Sequence, residues 1–305
     1  MCNFAPGYAL RQPVYYRMMK KILLRIFPVF ALALLFAGCS EYAQLWKTGT
    51  PRQKYDAGKM YLNAGKHQRA ADIFEDIRPM FMGMPQEDSI LYFIGLAYYR
   101  MRNFEMSGAM FDEFRKTFGR SGLLEDAEYL YADGLFRSSP PANRDQTHTL
   151  SAIVAIDEYL QRYPNSRHRE AMLDQMDGLQ DKLKEKAFIN AKVYYNIGEY
   201  KAATVALRNA LDQYPETPHR EEILYLIVKS NYLLASNSFE NLQRERFMDV
   251  QEAYYNFTGE FPESRYSKEV QKMYENARKY LAQFSETTEE NNETETSTSN
   301  TEDGI

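Results

Sequence analysis

The chain has 305 residues, 44% hydrophobic and 14% aromatic, which provides enough apolar surface for a folded core. Five basic residues and no acid precede Cys39, and seven acids and no base follow Phe284, so the body between them is close to neutral. Because phosphate binding needs clustered Lys and Arg, this body is not expected to bind nucleic acid. With only Cys2 and Cys39, a disulfide framework is also excluded.

The N-terminal region has the layout of a secretory signal. From Met19 a basic segment leads into an apolar run, 22–37, that ends in small residues before Cys39. The run is shorter than the roughly 20 apolar residues that a spanning helix needs. Residues 1–38 are therefore expected to be upstream residues and a lipoprotein signal peptide that is removed, with translation starting at Met18 or Met19.

The end of this signal predicts a lipid anchor. Leu35-Phe36-Ala37-Gly38 resembles a lipobox, which would make Cys39 the acylated first residue of the mature protein, although ordinary signal cleavage beside an incidental cysteine remains an alternative. Two or three acyl chains anchor a protein stably, since each buried methylene contributes ~0.8 kcal/mol. Ser40 is not the acidic residue that retains enteric lipoproteins at the inner membrane. We therefore expect an outer-membrane lipoprotein on the periplasmic face, with 39–50 as its lipidated linker.

The body contains a recurring motif with its aromatic residues 45, 51 and 47 positions apart. In most copies a Pro ends one helix, and a Ser or Thr two residues later is predicted to cap the next. The motif therefore predicts a chain of helix pairs. Its copies are Phe118-Gly119-Arg120-Ser121, Tyr163-Pro164-Asn165-Ser166, Tyr214-Pro215-Glu216-Thr217 and Phe261-Pro262-Glu263-Ser264.

Inside these units, small and aromatic residues resemble the tetratricopeptide repeat, a helix–turn–helix with small residues where its helices cross. Gly198 is expected in a left-handed turn, and Ala203 at a close helix approach. The predicted fold is all-α, a right-handed superhelix of about five such repeats with a C-terminal capping helix. The first unit places Gly58, Tyr61, Gly65, Ala70 and Phe74 on the pattern, and the fourth places Ala191, Tyr194, Gly198, Tyr200, Ala203, Leu207 and Pro215.

The repeats divide into two groups joined by a long helix. Repeats one to three occupy 51–166, and repeats four and five with the capping helix occupy 167–284. Helical periodicity predicts one helix from about Arg169 to Asn196. Insertions at 138–145 and 236–238 are expected to form loops, and the capping helix should run from about Ser267 to Phe284. The acidic segment 285–305 has almost nothing apolar and is expected to be disordered.

No constellation of residues points to catalysis, a cofactor or a metal. His168 and His219 recur with the punctuation motif, which favours a structural position, and the chain lacks zinc-type Cys/His spacing, a phosphate loop and a nucleophile elbow. The protein is expected to bind other proteins rather than to act as an enzyme.

Tyrosine is the unusual feature, with 24 copies. Tyr98 and Tyr194 occupy repeat positions that predict core packing. Their neighbours Tyr99 and Tyr195 are rotated by ~100° and are expected to line a substrate groove, since tyrosine buries a large area and keeps a polar hydroxyl.

The ordered motifs together resemble the BamD family, lipoproteins of the outer-membrane β-barrel assembly machine. The resemblance covers about 36–283, and it is strongest through Arg144-Asp145-Gln146, Tyr163-Pro164-Asn165-Ser166, Leu179-Gln180-Asp181-Lys182-Leu183, Tyr194-Tyr195 and Tyr214-Pro215-Glu216-Thr217.

This resemblance implies two kinds of partner. The C-terminal repeats would bind the barrel-inserting outer-membrane assembly subunit, and the N-terminal groove would contact unfolded outer-membrane proteins. Ala206 falls where some relatives carry a basic residue, so that pairing is expected to differ here. The candidates for binding the barrel-inserting subunit are Arg208, Asp212, Arg220 and Glu221. The candidates for the substrate groove are Tyr92, Tyr99, Arg144 and Tyr195.

Other classes of envelope protein use similar repeats. A Tol-associated cell-division coordinator usually begins with a coiled coil and lacks lipidation, and glycan-capture lipoproteins are much longer. Either would keep the predicted fold and change the function.

Overall fold

The computed structural model describes the backbone of residues 41–299 and the side chains of 41–283, and all regular structure in this part of the chain is helical. The predicted signal peptide and Cys39 lie outside the described residues. The helices are α1 (41–48), α2 (Pro51–Asn63), α3 (His67–Ile77), α4 (Glu87–Arg100), α5 (Phe104–Thr117), α6 (Leu124–Ser138), α7 (Thr147–Arg162), α8 (Arg169–Asn196), α9 (Tyr200–Gln213), α10 (Arg220–Ser236), α11 (Glu240–Glu260) and α12 (Ser267–Ser299), with a 3-10 turn at Arg78–Phe81.

The punctuation motif produces the same turn four times. Six residues separate α5 from α6, α7 from α8, α9 from α10 and α11 from α12. The Ser or Thr accepts a backbone N–H two residues on, as Ser166 Oγ does from His168 (3.1 Å) and Thr217 Oγ1 from His219 (3.3 Å). These bonds fall on the residue before the helix rather than inside it, because a further backbone turn intervenes. The helix-turn-helix repeat and the all-α fold are confirmed.

The turns inside repeats one and four need glycine. Gly65 follows α2 with φ +74°, and Gly198 follows α8 with φ +85°. Residues with a Cβ rarely adopt this left-handed conformation, so these positions let each first helix reverse into the second within three residues.

The chain forms two compact units that divide after Gly134, within α6. In the N-terminal unit, glycines let paired helices approach closely. A Cβ at Gly58 would lie 2.7 Å from Phe74 Cζ, and one at Gly95 would lie 2.9 Å from Phe111 Cε1. Both phenylalanines are fully buried. The crossing of helices in this unit therefore depends on a missing side chain.

The C-terminal unit contains the long helix α8, whose observed bounds match the prediction. Met172 and Leu179 are buried in its first half, and Phe188 and Ala191 in its second. At about 100° per residue, the second pair is rotated by about 120° to 180° from Leu179. The helix therefore packs on α7 with one face and on α9 with another.

The same group of side chains joins successive first helices at two junctions of the C-terminal unit. The Phe188 and His219 rings stack at 4.4 Å between centroids, and Lys192 Nζ lies 2.6 Å from Glu222 Oε1. One repeat later the same arrangement appears at α10 and α12, and we call each group an aromatic–ion latch. In the second latch, the Tyr225 and Tyr266 rings stack at 4.0 Å and Lys229 Nζ lies 2.9 Å from Glu269 Oε1.

Both ends of the described chain are more helical than the sequence suggested. Residues 41–48 of the expected linker form α1, whose Tyr42 ring packs edge-on against Tyr61 at 5.7 Å. At the other end, α12 buries Val270, Met273 and Ala277 and then continues past Phe284 to Ser299. No Pro or Gly falls between 285 and 299, so no helix-breaking residue ends α12 after its packed first part.

Candidate protein-binding surfaces

The two groove candidates of the N-terminal unit are half-buried and packed within the repeat. The Tyr92 ring contacts Phe111 and Phe114, with centroids 5.8 and 6.2 Å apart. The Tyr99 hydroxyl donates a hydrogen bond to the buried carboxylate of Asp133. Both tyrosines therefore make contacts within the repeats, and their place in a substrate groove stays a prediction.

The expected core positions have different outcomes in the two units. Tyr98 packs against the hydrophobic core of the N-terminal unit, and its hydroxyl donates to Glu75 Oε1 at 2.6 Å, a bond that raises the pKa of Tyr98 to about 12. Tyr194, in contrast, is 43% exposed, so the expectation that it belongs to the core is wrong. The buried face of α8 carries Phe188, Ala191 and the half-buried Tyr195, and Tyr194 is rotated by ~100° from Tyr195.

The insertion in repeat three is a fixed loop that exposes Arg144. Its carbonyl accepts bonds at 3.0 Å from Gln146 Nε2 and from Lys186 Nζ of α8. A second lysine, Lys182, donates to Ser139 Oγ at 2.6 Å, and burial lowers the pKa of its ammonium. Two lysines of α8 therefore hold the loop, while the Arg144 guanidinium faces solvent.

The candidates on α9 lie on an exposed surface shared with α11. Arg208 Nη2 is 4.0 Å from Glu252 Oε1, so this pair of side chains bridges the two helices there. Asp212 is exposed one turn further along, whereas Ala206 is half-buried against the core. An exposed ion pair contributes little to stability, so a charged partner protein can replace one of its members at this surface.

Sequence reasoning missed the apolar part of this surface. Val205 on α9 and Met248 on α11 are both exposed, each about one turn before the residue of the Arg208–Glu252 pair on its helix. We call Val205, Arg208, Asp212, Met248 and Glu252 the α9–α11 surface. Apolar side chains beside charged ones are typical of protein interfaces, but lone exposed apolar residues are too common in a sequence to be noticed.

Of the remaining two candidates, Arg220 is paired within the protein. The Arg220 guanidinium forms a bidentate ion pair with the Glu260 carboxylate, in which Nη2 and Oε2 are 2.9 Å apart. These hydrogen bonds raise the pKa of the arginine. Its Nη1 also donates to the Pro215 carbonyl at 3.3 Å. Glu221 is half-buried in the first turn of α10. Arg220 thus connects the start of α10 to the end of α11.

The recurring histidines lie at the starts of helices, as N-caps of α8 and α10. His219 also pairs through Nε2 with Glu185. Among residues 41–283, no group of three or more His, Cys, Asp or Glu side chains is arranged to hold a metal ion. Within the described chain, no helix has the length and apolar character required to cross a bilayer.

Comparison with known proteins identifies the family. The family model described as YfiO, outer membrane lipoprotein, matches residues 47–247 and again 188–291. The outer membrane protein assembly factor BamD of Caulobacter vibrioides is 24% identical over 210 residues, covering 68% of this chain and 69% of that protein. BamD of Neisseria meningitidis serogroup B is 25% identical over 225 residues, covering 68% and 83%. BamD of Pasteurella multocida is 23% identical over 189 residues, covering 58% and 72%. The chain therefore belongs to the YfiO family of outer membrane lipoproteins.

Proposed function

We propose that the protein is a lipid-anchored scaffold in outer membrane protein assembly, and that it acts by binding other proteins rather than by catalysis. Its relatives carry the name outer membrane protein assembly factor. The observation that carries the proposal is the α9–α11 surface, which combines an exposed ion pair with exposed apolar side chains on a helical repeat scaffold.

On this proposal the α9–α11 surface binds the barrel-inserting subunit, and the N-terminal repeats contact unfolded outer-membrane proteins. Arg208 and Asp212 offer charges of both signs to the subunit, whereas Arg220 supports the α10–α11 junction through Glu260. Arg144 and Tyr195 are secondary candidates for substrate contact, because Arg144 is exposed and half-buried Tyr195 keeps part of its surface accessible.

The interface is tested by affinity purification of the tagged protein from solubilised membranes of its own host, with mass spectrometry. We expect a large β-barrel protein with periplasmic domains in near-equal amount. Arg208→Glu combined with Met248→Glu should reduce its recovery about tenfold, because charge complementarity and apolar contact are lost together. The control, Lys272→Glu, changes an exposed cation of α12 and should leave recovery unchanged. Recovery of Tol or division proteins instead would replace the function and leave the fold intact.

We also propose that Cys39 carries the lipid and holds the protein at the periplasmic face of the outer membrane. Cys39→Ala should move the protein from the membrane fraction to the soluble periplasmic fraction, because the acyl chains supply the membrane affinity. Ser40→Ala, at the adjacent residue, should keep it membrane-bound. Retention of the Cys39→Ala variant in washed membranes would contradict the lipid anchor.

A further inference from the structure

The turn between α3 and α4 exposes three methionines within five residues. Met80, Met82 and Met84 are 51, 70 and 50% exposed. We call residues 80–84 the methionine loop. Methionine is ordinarily a core residue, and a group of exposed methionines offers a polarisable, adaptable apolar contact.

The backbone of this loop is held in one conformation. The side chain of Phe81 is buried in the hydrophobic core of the N-terminal unit and anchors the loop between the exposed methionines. Gly83 adopts φ +77°, and its N–H donates to Glu87 Oε2 at 2.7 Å. Arg78, at the start of the turn, pairs with Glu113 of α5. Flexible side chains are thus presented on a fixed backbone, which lowers the entropy cost of binding.

A cleft of about 680 Å³ adjoins the loop, within the size range of ligand pockets. Met84, Pro85 and Phe118 give it apolar walls, and Asp88 and Arg120 add charges. The carboxylate of Asp88 accepts bonds at 2.6 Å from Ser121 Oγ and from the N–H of Ser89, so its demand is met internally. The Arg120 guanidinium is exposed at the cleft.

We propose that the methionine loop and this cleft bind an extended apolar peptide segment that also carries a carboxylate. The methionines contact apolar side chains of varied shape, and Arg120 pairs with the carboxylate, which guanidinium binds with two parallel hydrogen bonds. The inference rests on the proposed function, in which unfolded outer-membrane proteins are substrates, and it assigns their apolar stretches to this surface of the N-terminal unit.

The test measures binding of the full-length mature protein to a fluorescent peptide of about ten residues that alternates leucine and threonine. The peptide is made with a free C-terminal carboxylate and as its amide. Replacing all three methionines, Met80→Gln, Met82→Gln and Met84→Gln, should weaken binding of both peptides about tenfold or more. Arg120→Gln should weaken only the carboxylate form. The matched control is Met60→Gln, because Met60 is 58% exposed on α2 and lies outside the loop. This variant should bind both peptides with the affinity of the wild type.

Several outcomes would overturn the inference. One is unchanged affinity of the triple variant with a native circular dichroism spectrum, and another is an equal loss in Met60→Gln. If the triple variant instead loses self-association in sedimentation, the loop contacts a second copy. A urea-unfolded outer-membrane barrel protein, diluted into the assay, separates the two claims. Equal capture by wild type and triple variant rejects the loop alone, whereas no capture by wild type also rejects the substrate part of the proposed function.

Discussion

The two units join their repeats with different chemistry at equivalent positions. In the C-terminal unit, each aromatic–ion latch has a ring and a lysine on one helix, a stacked ring just before the next helix, and a glutamate in the first turn of that helix. In the N-terminal unit, Tyr55 and Lys59 on α2 match the ring and the lysine, but Gln86 and Ser89 at the start of α4 take the place of the stacked ring and the glutamate. The junction there is a hydrogen bond between the Tyr55 and Ser89 hydroxyl oxygens, 3.2 Å apart.

The two units also use different residues at equivalent positions where the two helices of a repeat cross. The first helix of a repeat contributes a small residue and the second a large one sixteen positions later, as in Gly95 and Phe111, whereas repeat four uses Ala191 and Leu207. A larger residue on one helix is matched by a smaller one on the other. The comparison shows that the repeat conserves packed volume and contact geometry while the residue types vary.

The largest effect is expected where the N-terminal unit depends on glycine. Gly95→Ala should lower the free energy of unfolding by about 1–3 kcal/mol, because its Cβ would lie 2.9 Å from a fully buried Phe111 ring. The matched control is Gly108→Ala on α5, where no atom lies within 4 Å and helix propensity should add up to about 1 kcal/mol. Chemical denaturation measures both.

The volume argument is sharpened by exchanging the whole pair. Phe111→Leu combined with Gly95→Ala reproduces the residues of repeat four and should recover part of the loss seen in Gly95→Ala alone. A double variant whose loss equals the sum of the two single losses would reject complementary volume as the reason for the difference between the units.

Much of the helical layout follows from local sequence. The punctuation motif placed the turns because Pro and Ser or Thr act within a few residues, and the bounds of α8 were predicted from periodicity alone. The same reasoning located the left-handed glycine Gly198. These features depend on the backbone and its nearest neighbours.

The surfaces were harder to predict because exposure depends on neighbouring helices. Tyr194 was assigned to the core, but the buried face of α8 rotates where its packing partner changes from α7 to α9. The methionine loop was missed because methionine usually indicates core, and only the buried Phe81 and the left-handed Gly83 turn its neighbours outward. The Arg220–Glu260 pair joins residues forty positions apart and has no local signal.

A smaller effect is expected from the stacked rings of the second latch. Tyr266→Ala should lower the free energy of unfolding by about 1–2 kcal/mol, because it removes the ring stacked on Tyr225 together with its burial. Tyr194→Ala provides the control, since Tyr194 is 43% exposed on α8. Equal losses in thermal denaturation would show that the stack adds nothing beyond ordinary surface contact.

The smallest effect concerns the ion pair of the same latch, and it depends on pH. Hydrogen bonds from Lys229 and Tyr225 lower the pKa of the Glu269 carboxyl. Its contribution to stability is therefore complete above the ordinary glutamate pKa and is lost as the pH falls through the lowered value. Because the Glu269 side chain is 49% exposed, solvent screening limits this contribution to about 0.5–1 kcal/mol.

Glu269→Gln should accordingly lower the Tm at pH 7 and match wild type once the pH is below the lowered pKa, so the variant loses less stability on acidification. Glu263→Gln, at an exposed turn residue, should follow wild type throughout. The N-terminal junction has the Tyr55–Ser89 hydroxyl pair at the equivalent position. Ser89→Ala should lower the free energy of unfolding by about 1 kcal/mol, and this loss should be constant between pH 4 and 8 because neither hydroxyl changes its charge in that range. If Glu269→Gln also gives a pH-independent loss, the charge of the latch contributes nothing, and the two junctions differ only in shape.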